Sequence, residues 1–479
     1  MKKAAIIPVM ALFSVILASC PDLTSESSTE GTFWTQNFVD KTFYQVKAER
    51  LYEGNKCEIW AQTGSGVTKA MAKDIANEYD TKIRGIIVKT FGSTFTDGSD
   101  ILDYANWFAK RNNGKLTILL LDIKDGYVKD INDAYVAGYF YALDLFEKGP
   151  HEENGKIYYS NGRDMIYVDT DPGLKTQRTQ AYSTFAHELQ HLVNFITTVR
   201  IQRVNAQKQL LLTDTWVNEG LSAYAEYLYL GGHPEDKRVW LGDSRNTIKT
   251  GNNFFVWGNH MEDPESLAIL DDYATVYLFF QWLYLQAGKQ SHIFHDIVHS
   301  PHYDYQAVTD VAKEIDPAWA NWETLLRTWL AANYYPQNSY GYTGDTELQN
   351  MIKIGPIFVT GNNISLYPGE GVYSIISGSV NPAAGGTNIR YAGLGSTGTI
   401  NTSSPSYSGN VLLTFNANTN NSTAVPETGS LTGITPPPAA SQTTTGNARQ
   451  AGRRTAPYVI DAQDMLGRDQ ERFNLPVRR

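Results

Sequence analysis

The sequence predicts an α+β fold in which a mixed sheet with helices is followed by a helical subdomain, then by a small β region and a disordered tail. Three observations carry this prediction. Residues 33–177 alternate apolar, strand-like runs with one helical pattern. Residues 178–335 are dominated by helical spacing. Residues 353–415 contain short apolar runs separated by Gly and Pro, which is typical of strands and turns.

Composition indicates a folded protein and excludes several classes. Hydrophobic residues make up 42% and charged residues 19% of the 479 residues, which is enough apolar material for a sizeable core. The net charge of −10 argues against a general nucleic-acid binder, because that function needs a basic surface. The chain has only two cysteines, Cys20 and Cys57, so neither a disulfide scaffold nor a cysteine-only zinc site can form. Cys57 lies in a strand-like run, and we expect a buried, inert thiol there.

The N-terminus has the pattern of an export signal. Lys2 and Lys3 precede an apolar stretch, residues 4–18, that is too short for a permanent membrane span. The stretch ends in Leu-Ala-Ser-Cys, which resembles a bacterial lipobox, with Cys20 as the lipidated residue. That resemblance implies that residues 1–20 are a lipoprotein signal peptide and that acyl chains such as palmitate hold the protein at the membrane of the cell envelope. The alternative is an ordinary cleaved signal peptide, with release of a secreted protein.

Residues 21–32, rich in Ser, Thr and acidic residues, are predicted to be a tether. The α/β part, residues 33–177, follows. Apolar residues between Met71 and Ile86 recur every three or four positions, which predicts an amphipathic helix. Strands are predicted at residues 116–123, 137–140 and 165–168.

Two aromatic-rich stretches in the helical part, Tyr273–Leu285 and Trp319–Tyr335, are predicted to be core helices. Residues 353–415 are predicted to be a small β module. Residues 416–479 are rich in Asn, Thr, Ser and Pro and end in several arginines, which predicts a disordered linker and a basic tail.

The chemistry is concentrated in one motif, His187-Glu188-Leu189-Gln190-His191. Residues four apart lie on one face of a helix, so the imidazoles of His187 and His191 can reach one metal ion. Glu188 lies one step round the helix, where its carboxylate can contact a water molecule and act as a base. By itself this spacing also fits two surface histidines beside a glutamate.

A third ligand is predicted downstream, where Asn218-Glu219-Gly220 opens an Ala-rich helical stretch. A catalytic zinc ion takes three protein ligands and leaves one position for water, and Glu219 completes such a set. Glu226 lies about two helical turns later on the same face as Glu219. We expect Glu226 to accept a hydrogen bond from a ring nitrogen of His187 or His191, and we place Asn218 beside it in support of the ligands.

These residues resemble those of the gluzincin metallopeptidases, whose third zinc ligand is a Glu on a second helix. The gap between His191 and Glu219 is longer than in thermolysin-like members, so an inserted segment is expected there. The flanking phrases resemble the hyicolysin family of secreted bacterial metallopeptidases. They lie at residues 119–123, 136–140, 160–161, 167–170 and 186–191.

This resemblance implies a zincin-like catalytic unit that binds Zn²⁺ through His187, His191 and Glu219, with Glu188 as the general base. It implies an endopeptidase whose partners are protein or peptide substrates. The Gly-x-Met-x-Asn motif of the zinc aminopeptidases is missing, which disfavours an exopeptidase. The oxyanion donor in gluzincins is usually a downstream Tyr or His. We prefer Tyr273, with Tyr277 and His260 left open.

Two other functions stay open at the level of sequence. One is a catalytically inactive, surface-anchored binding protein or adhesin on a gluzincin fold. The other is a structural envelope lipoprotein that uses a metal only for stability. The complete set of two histidines, base and ligand glutamate favours the enzyme, and the sequence does not define the oligomeric state.

Overall fold

The computed structural model shows a mixed α+β protein, as predicted. It describes residues 29–94, 114–131, 134–153, 155–206, 210–242, 254–257, 268–352, 363–421, 426–431 and 458–461. Within these residues, no helix combines the length and apolar character that crossing a bilayer requires.

The strands, numbered in chain order, are β1 (Glu30–Asn37), β2 (Thr42–Glu53), β3 (Cys57–Gln62), β4 (Leu116–Leu121), β5 (Ala134–Phe140), β6 (Gly149–Glu153), β7 (Lys156–Ser160), β8 (Met165–Asp169), β9 (Asn363–Leu366), β10 (Gly371–Val380), β11 (Ile389–Leu394), β12 (Ile400–Asn401), β13 (Tyr407–Asn416), β14 (Glu427–Ser430) and β15 (Tyr458–Asp461).

The α-helices are α1 (Lys69–Glu78), α2 (Arg84–Phe91), α3 (Arg178–Arg200), α4 (Thr215–Leu230), α5 (Glu235–Gly242), α6 (Ala268–Gln286), α7 (His292–Val298), α8 (Tyr305–Ile315), α9 (Trp322–Tyr334) and α10 (Thr346–Met351). A π-helical segment, Tyr79–Ile83, joins α1 to α2, so the amphipathic pattern predicted from Met71 to Ile86 lies in one continuous helical stretch.

The main sheet has the strand order β1-β2-β3-β4-β8-β5-β15 among the described residues. Strands β3, β4 and β8 are parallel, whereas β1, β2 and β3 pair antiparallel. Strand β5 runs antiparallel to β8. Helix α3 follows β8 in the chain and packs on β5 and β8.

Both faces of this sheet are covered, which explains the continuous apolar run of β4. Ile118 and Leu120 belong to the core shared with the helices. Leu119 and Leu121 point to the opposite face, where they join a second core around Trp60. Alternate side chains of β4 therefore belong to opposite cores. A strand that is buried on both faces has a nearly continuous apolar sequence.

The N-terminal expectations are met in part. Strand β1 already begins at Glu30, which pairs with Glu49, so the last three residues of the predicted tether, Glu30–Thr32, belong to the sheet. Residues 1–28, which include Cys20, lie outside the described residues. Cys57 is buried with a free thiol, as expected, and burial raises the pKa of that thiol.

The C-terminal β region packs on the helical part. Strands β10, β13, β11 and β12 form an antiparallel sheet. The hydroxyl of Tyr373 donates to the carbonyl of Leu330 in α9 over 2.8 Å, and Leu413 and Phe415 join the main core. The predicted strand at residues 356–360 lies outside the described residues.

The prediction of disorder from Asn416 onward is wrong for two segments. Strand β14 pairs antiparallel with β9, and β15 pairs with β5 in the main sheet. Composition misses such pairing because the hydrogen-bonding partners lie far away in the sequence. Residues 432–457 and 462–479 lie outside the described residues.

Close packing of α4 against α6 fixes the second helix of the candidate site. A Cβ atom on Gly220 would lie 2.4 Å from ring carbons of Phe280 and 3.0 Å from Val276. Trp216, one turn earlier in α4, is fully buried among aromatic rings of Phe254, Phe279 and Trp322. Glycine at position 220 therefore sets how closely the two helices approach.

This contact gives a stability prediction. Gly220→Ala should destabilise the protein by about 1–3 kcal/mol, because overpacking outweighs the higher helix propensity of alanine. The measurement is the free energy of unfolding from urea denaturation, and Gly85→Ala is the matched control. Gly85 is an exposed glycine in α2 whose added Cβ would meet no described atom within 4 Å, so the control should be stabilised by up to ~1 kcal/mol. Equal stability of the two variants would contradict this account.

Candidate metal centre

Helix α3 supplies the first two candidate ligands. It runs without Pro or Gly from Arg178 to Arg200 and is buried over nearly all of its length after Ala181. His187 and His191 lie four residues apart and are buried, with ring centroids 4.8 Å apart. The local sequence therefore builds a long core helix whose polar face points into the protein.

Helix α4 supplies the third candidate ligand and two supporting groups. Glu219, Ser222 and Glu226 recur at three- and four-residue spacing, so they form one stripe that faces α3. The Oε2 atom of Glu219 lies 3.3 Å from Nε2 of His187 and 3.6 Å from Nε2 of His191. These three atoms form a group that can hold a metal ion.

Hydrogen bonds on the far side of each ring fix its tautomer. Nδ1 of His187 lies 2.7 Å from Oε1 of Glu226, so this nitrogen carries the proton and donates it to the carboxylate. Nδ1 of His191 lies 3.0 Å from Oγ of Ser222, and that hydroxyl itself donates to Oε1 of Gln190. Because the Ser222 hydroxyl donates its hydrogen bond to Gln190, its oxygen accepts a hydrogen bond from Nδ1–H of His191.

The three ligand atoms are then all acceptors. With Nδ1 protonated, the Nε2 atoms of His187 and His191 present lone pairs toward Oε2 of Glu219. Three acceptors that face one another in a buried space repel unless a cation lies between them. Tetrahedral ligands about 2.0–2.1 Å from one Zn²⁺ are separated by roughly 3.3 Å, close to the observed separations. The residues present therefore fit a metal ion.

A second observation supports this fit. Oε1 of Glu219 is buried and has no hydrogen-bond partner among the described residues. A buried carboxylate oxygen without a partner is costly, whereas coordination to a metal ion would compensate that cost.

The side chain of Glu188 in α3 points toward strand β5 of the main sheet. It is buried, and a Cβ atom on Gly138 in β5 would lie 3.5 Å from its Cγ and 2.7 Å from Cγ2 of Thr184. The missing side chain at position 138 lets the helix approach the strand closely. Glu188, which follows the candidate ligand His187 in α3, is thereby packed against β5.

Lys237 in α5 adds a positive charge near these carboxylates. Its side chain is only 8% exposed, and its ammonium group donates to Asp236 over 2.8 Å. Burial acts to lower the pKa of Lys237, and the charge of Asp236 acts to raise it. The carboxylates of Glu226 and Glu219 act in the same direction as Asp236, so the net effect is a raised pKa and a firmly charged Lys237.

The three candidates for the oxyanion donor, Tyr273, Tyr277 and His260, differ in their surroundings. Tyr273 lies in α6 with its ring edge-on to Trp257, and the Lys237 ammonium lies 5.5 Å from the ring centroid. The Tyr277 hydroxyl lies 2.5 Å from Nδ1 of His233, and burial raises the pKa of Tyr277 well above its usual range. Tyr277 is thus paired with His233, and the charge of Glu226 also acts on its pKa. Tyr273 and Tyr277 both stay predictions as oxyanion donors, and His260 lies outside the described residues.

Asn218 contributes to the packing of the two site helices. Its Oδ1 accepts a hydrogen bond from Nδ2 of Asn194, one turn after His191 in α3. Asn194 in turn accepts from Thr213, which precedes α4. The segment between the helices, expected as an insertion, is anchored by Arg203, which donates to Thr213 and to the carbonyl of His302.

Sequence reasoning missed several contributors. Ser222 was detectable, because it lies on the same helical face as Glu219 and Glu226. Gln190 lies inside the motif, but its role depends on Ser222. Lys237 and Gly138 carry no local signal, because their roles arise from contacts between distant parts of the chain.

Two buried imidazoles and a carboxylate match the ligand set of metal-dependent hydrolases, in which a glutamate next to the first histidine acts as the base. The chain is similar to the neutral metalloprotease ShpI of Staphylococcus hyicus, with 29% identity over 292 residues. The match covers 60% of this chain and 58% of that protein, so the chain matches less than two thirds of its relative's length. No protein-family model matches the chain. The similarity and the buried ligand group together support a metalloprotease.

The hydrogen bond from His187 to Glu226 gives a prediction about metal affinity. Glu226→Gln should weaken the binding of Zn²⁺ by about 10–100-fold, because the ring loses the charged acceptor that fixes its tautomer. Titration of metal-free protein against a competing chelator measures the effect. Glu235→Gln, on the exposed side of α5, is the control and should bind as the unmodified chain does. Unchanged affinity in Glu226→Gln would remove Glu226 from the site.

Proposed function

We propose that the protein is a zinc-dependent endopeptidase that hydrolyses peptide bonds of extracellular or envelope proteins. One observation carries the proposal: three buried acceptor atoms, from His187, His191 and Glu219, converge at metal-ligand separations. The name of the relative, a neutral metalloprotease, supports the same activity.

Zinc fits the donor set better than other common metals. Two neutral imidazoles and one carboxylate suit Zn²⁺, whereas Mg²⁺ and Ca²⁺ prefer oxygen ligands. When bound, the ion would polarise the scissile carbonyl and make a water molecule more acidic. The zinc-dependent step therefore needs a nearby base, and Glu188 is adjacent to the first ligand.

The residues of the chain divide the remaining work. Glu188 takes a proton from the attacking water and delivers it to the leaving amine. Glu226 and Ser222 hold the two rings in the tautomer that presents Nε2 to the ion. Tyr273 is the proposed donor to the developing oxyanion. Endopeptidase rather than exopeptidase activity is proposed because the amine-reading motif of zinc aminopeptidases is missing from the sequence.

The alternative of an inactive binding protein is not favoured. A protein without turnover has no need for a base beside a complete ligand set, and here Glu188 is present and buried next to His187. The relative, too, is named as a protease rather than as an adhesin.

The enzymatic proposal predicts a separation of metal binding from hydrolysis. Glu188→Gln should keep one Zn²⁺ per chain and lose casein hydrolysis by about 10²–10⁴-fold, because only the base is removed. Zinc content by atomic spectroscopy and release of casein fragments are the measurements.

Glu219→Ala is the matched variant and should lose both bound zinc and activity. Casein cleavage by Glu188→Gln at the unmodified rate would show that another group is the base. Tightly held zinc in Glu219→Ala would show that another residue is the third ligand.

We also propose that Cys20 carries the lipid that holds the enzyme at the cell envelope, on the basis of the Leu-Ala-Ser-Cys sequence. Cys20→Ser should remove labelling by a clickable palmitate and move the protein from the membrane fraction to the soluble fraction. Cys57→Ser is the control and should leave both unchanged, since Cys57 is buried. Retained lipid labelling in Cys20→Ser would contradict the anchor.

A further inference from the structure

The last described segment of the chain adds a strand to the main sheet. Strand β15 pairs in parallel with β5, with Tyr458 opposite Ala134 and Ile460 opposite Val136. The register then shifts, so that Asp461 lies opposite Gly138. The other edge of β5 is already taken by β8. The C-terminal segment therefore covers the edge of β5 that would otherwise end the sheet.

This edge lies beside the proposed catalytic base. Helix α3 packs on β5 and β8, and Gly138 is the point at which a Cβ would come within 3.5 Å of Cγ of Glu188. Asp461 thus pairs with the residue of β5 that lies against Glu188. The pairing of β15 begins four residues earlier in β5 and runs up to the catalytic helix.

An extended peptide that is to be cleaved beside Glu188 needs partners for its own backbone. The free N–H and C=O groups of a strand edge provide such partners, and adding a strand is a common way to bind a peptide. The edge of β5 offers these groups next to the base. Because β15 takes the same groups, it and a bound peptide strand exclude each other.

We propose that Tyr458–Asp461 is an intramolecular occupant of the peptide-binding edge of β5 and blocks the site of its own chain. This inference rests on the proposed function, since it assumes that peptides bind beside Glu188. The blocking strand leaves when a peptide with more extensive contacts competes for the edge.

The connection to the rest of the chain fits a reversible block. Residues 432–457, between β14 and β15, are rich in Thr, Ala, Pro and Gly. Because β15 belongs to the same chain as β5, this tether holds the strand near its edge at an effective concentration on the order of millimolar. A short strand that binds its edge with a dissociation constant of about 1 mM is therefore docked in a large fraction of molecules, yet a micromolar substrate displaces it.

The test disrupts the strand in the full-length chain. Proline lacks the N–H that a ladder needs, and adjacent residues of a strand alternate in bonding, so the double variant Val459→Pro/Ile460→Pro removes at least one bond. Ala451→Pro/Gly452→Pro is the matched control, with the same change in the same segment outside β15. Both are made in the Glu188→Gln background for binding and in the unmodified background for hydrolysis.

Two measurements separate docking from its consequence. Hydrogen exchange of amides in residues 135–139 of β5 reports whether the edge is covered. Fluorescence anisotropy of a labelled casein-derived peptide, added to the zinc-loaded Glu188→Gln chains, reports whether the edge is open to a peptide. In the strand variant we expect faster exchange in β5 and peptide binding that is about two- to tenfold tighter, as expected when a linker-held competitor is lost.

The outcomes decide between the two proposals. Unchanged exchange in β5, or faster exchange with unchanged or weaker peptide binding, would overturn the blocking role of Tyr458–Asp461. Tighter binding with a matching rise in casein hydrolysis would support both proposals. Tighter binding without hydrolysis in any chain would support the blocked edge and overturn the peptidase function.

Discussion

The candidate site depends on one electrostatic constraint, the convergence of three buried acceptor atoms from two helices. Glu226 and Ser222 accept hydrogen bonds from Nδ1–H of His187 and His191, so the opposite ring nitrogens present lone pairs to the Glu219 carboxylate. This arrangement is unfavourable in a low-dielectric interior without a cation. The close approaches at Gly138 and Gly220 serve this constraint, because they bring α3 onto the sheet and α4 onto α6 at the separations that place the ligands.

The charge balance of the site follows from the same constraint. Glu188, Glu219 and Glu226 are three buried glutamates on the two site helices, and Lys237 is a nearly buried positive charge that pairs with Asp236. Glu219 and Glu226 help Asp236 to raise the pKa of Lys237. The ammonium group offsets part of the negative charge, and a divalent ion would offset more of it. Metal binding would therefore stabilise the folded protein, because the ion would offset the repulsion between these buried acceptor atoms.

Local patterns in the sequence pointed to the candidate ligands, because helical spacing places His187 with His191 and Glu219 with Glu226. The convergence of α3 with α4 depends on packing between distant segments. The sequence anticipated it through the three-ligand requirement of a catalytic zinc ion and through resemblance to a family. Lys237 and Gly138 were not predictable, since a lysine or glycine gains its role from neighbours that are remote in sequence. The same reason explains the wrong prediction of disorder for Glu427–Ser430, whose partner strand β9 precedes it by many residues.

The edge of β5 has to be open to a peptide substrate and closed to other strands, and the proposed role of β15 meets both requirements. An open strand edge is needed wherever a protein takes up an extended peptide, yet such an edge also invites pairing with any other exposed strand, including one from a second copy of the chain. A covalently tethered strand occupies the edge at a fixed effective concentration, independent of how much protein is present. A strand from a second copy of the chain, at micromolar concentration, competes poorly with the tethered strand. A substrate that makes additional side-chain contacts competes well. Strand β15 is outermost among the described strands, and its pairing ends at Gly138. The competition between β15 and a substrate peptide therefore takes place next to Glu188.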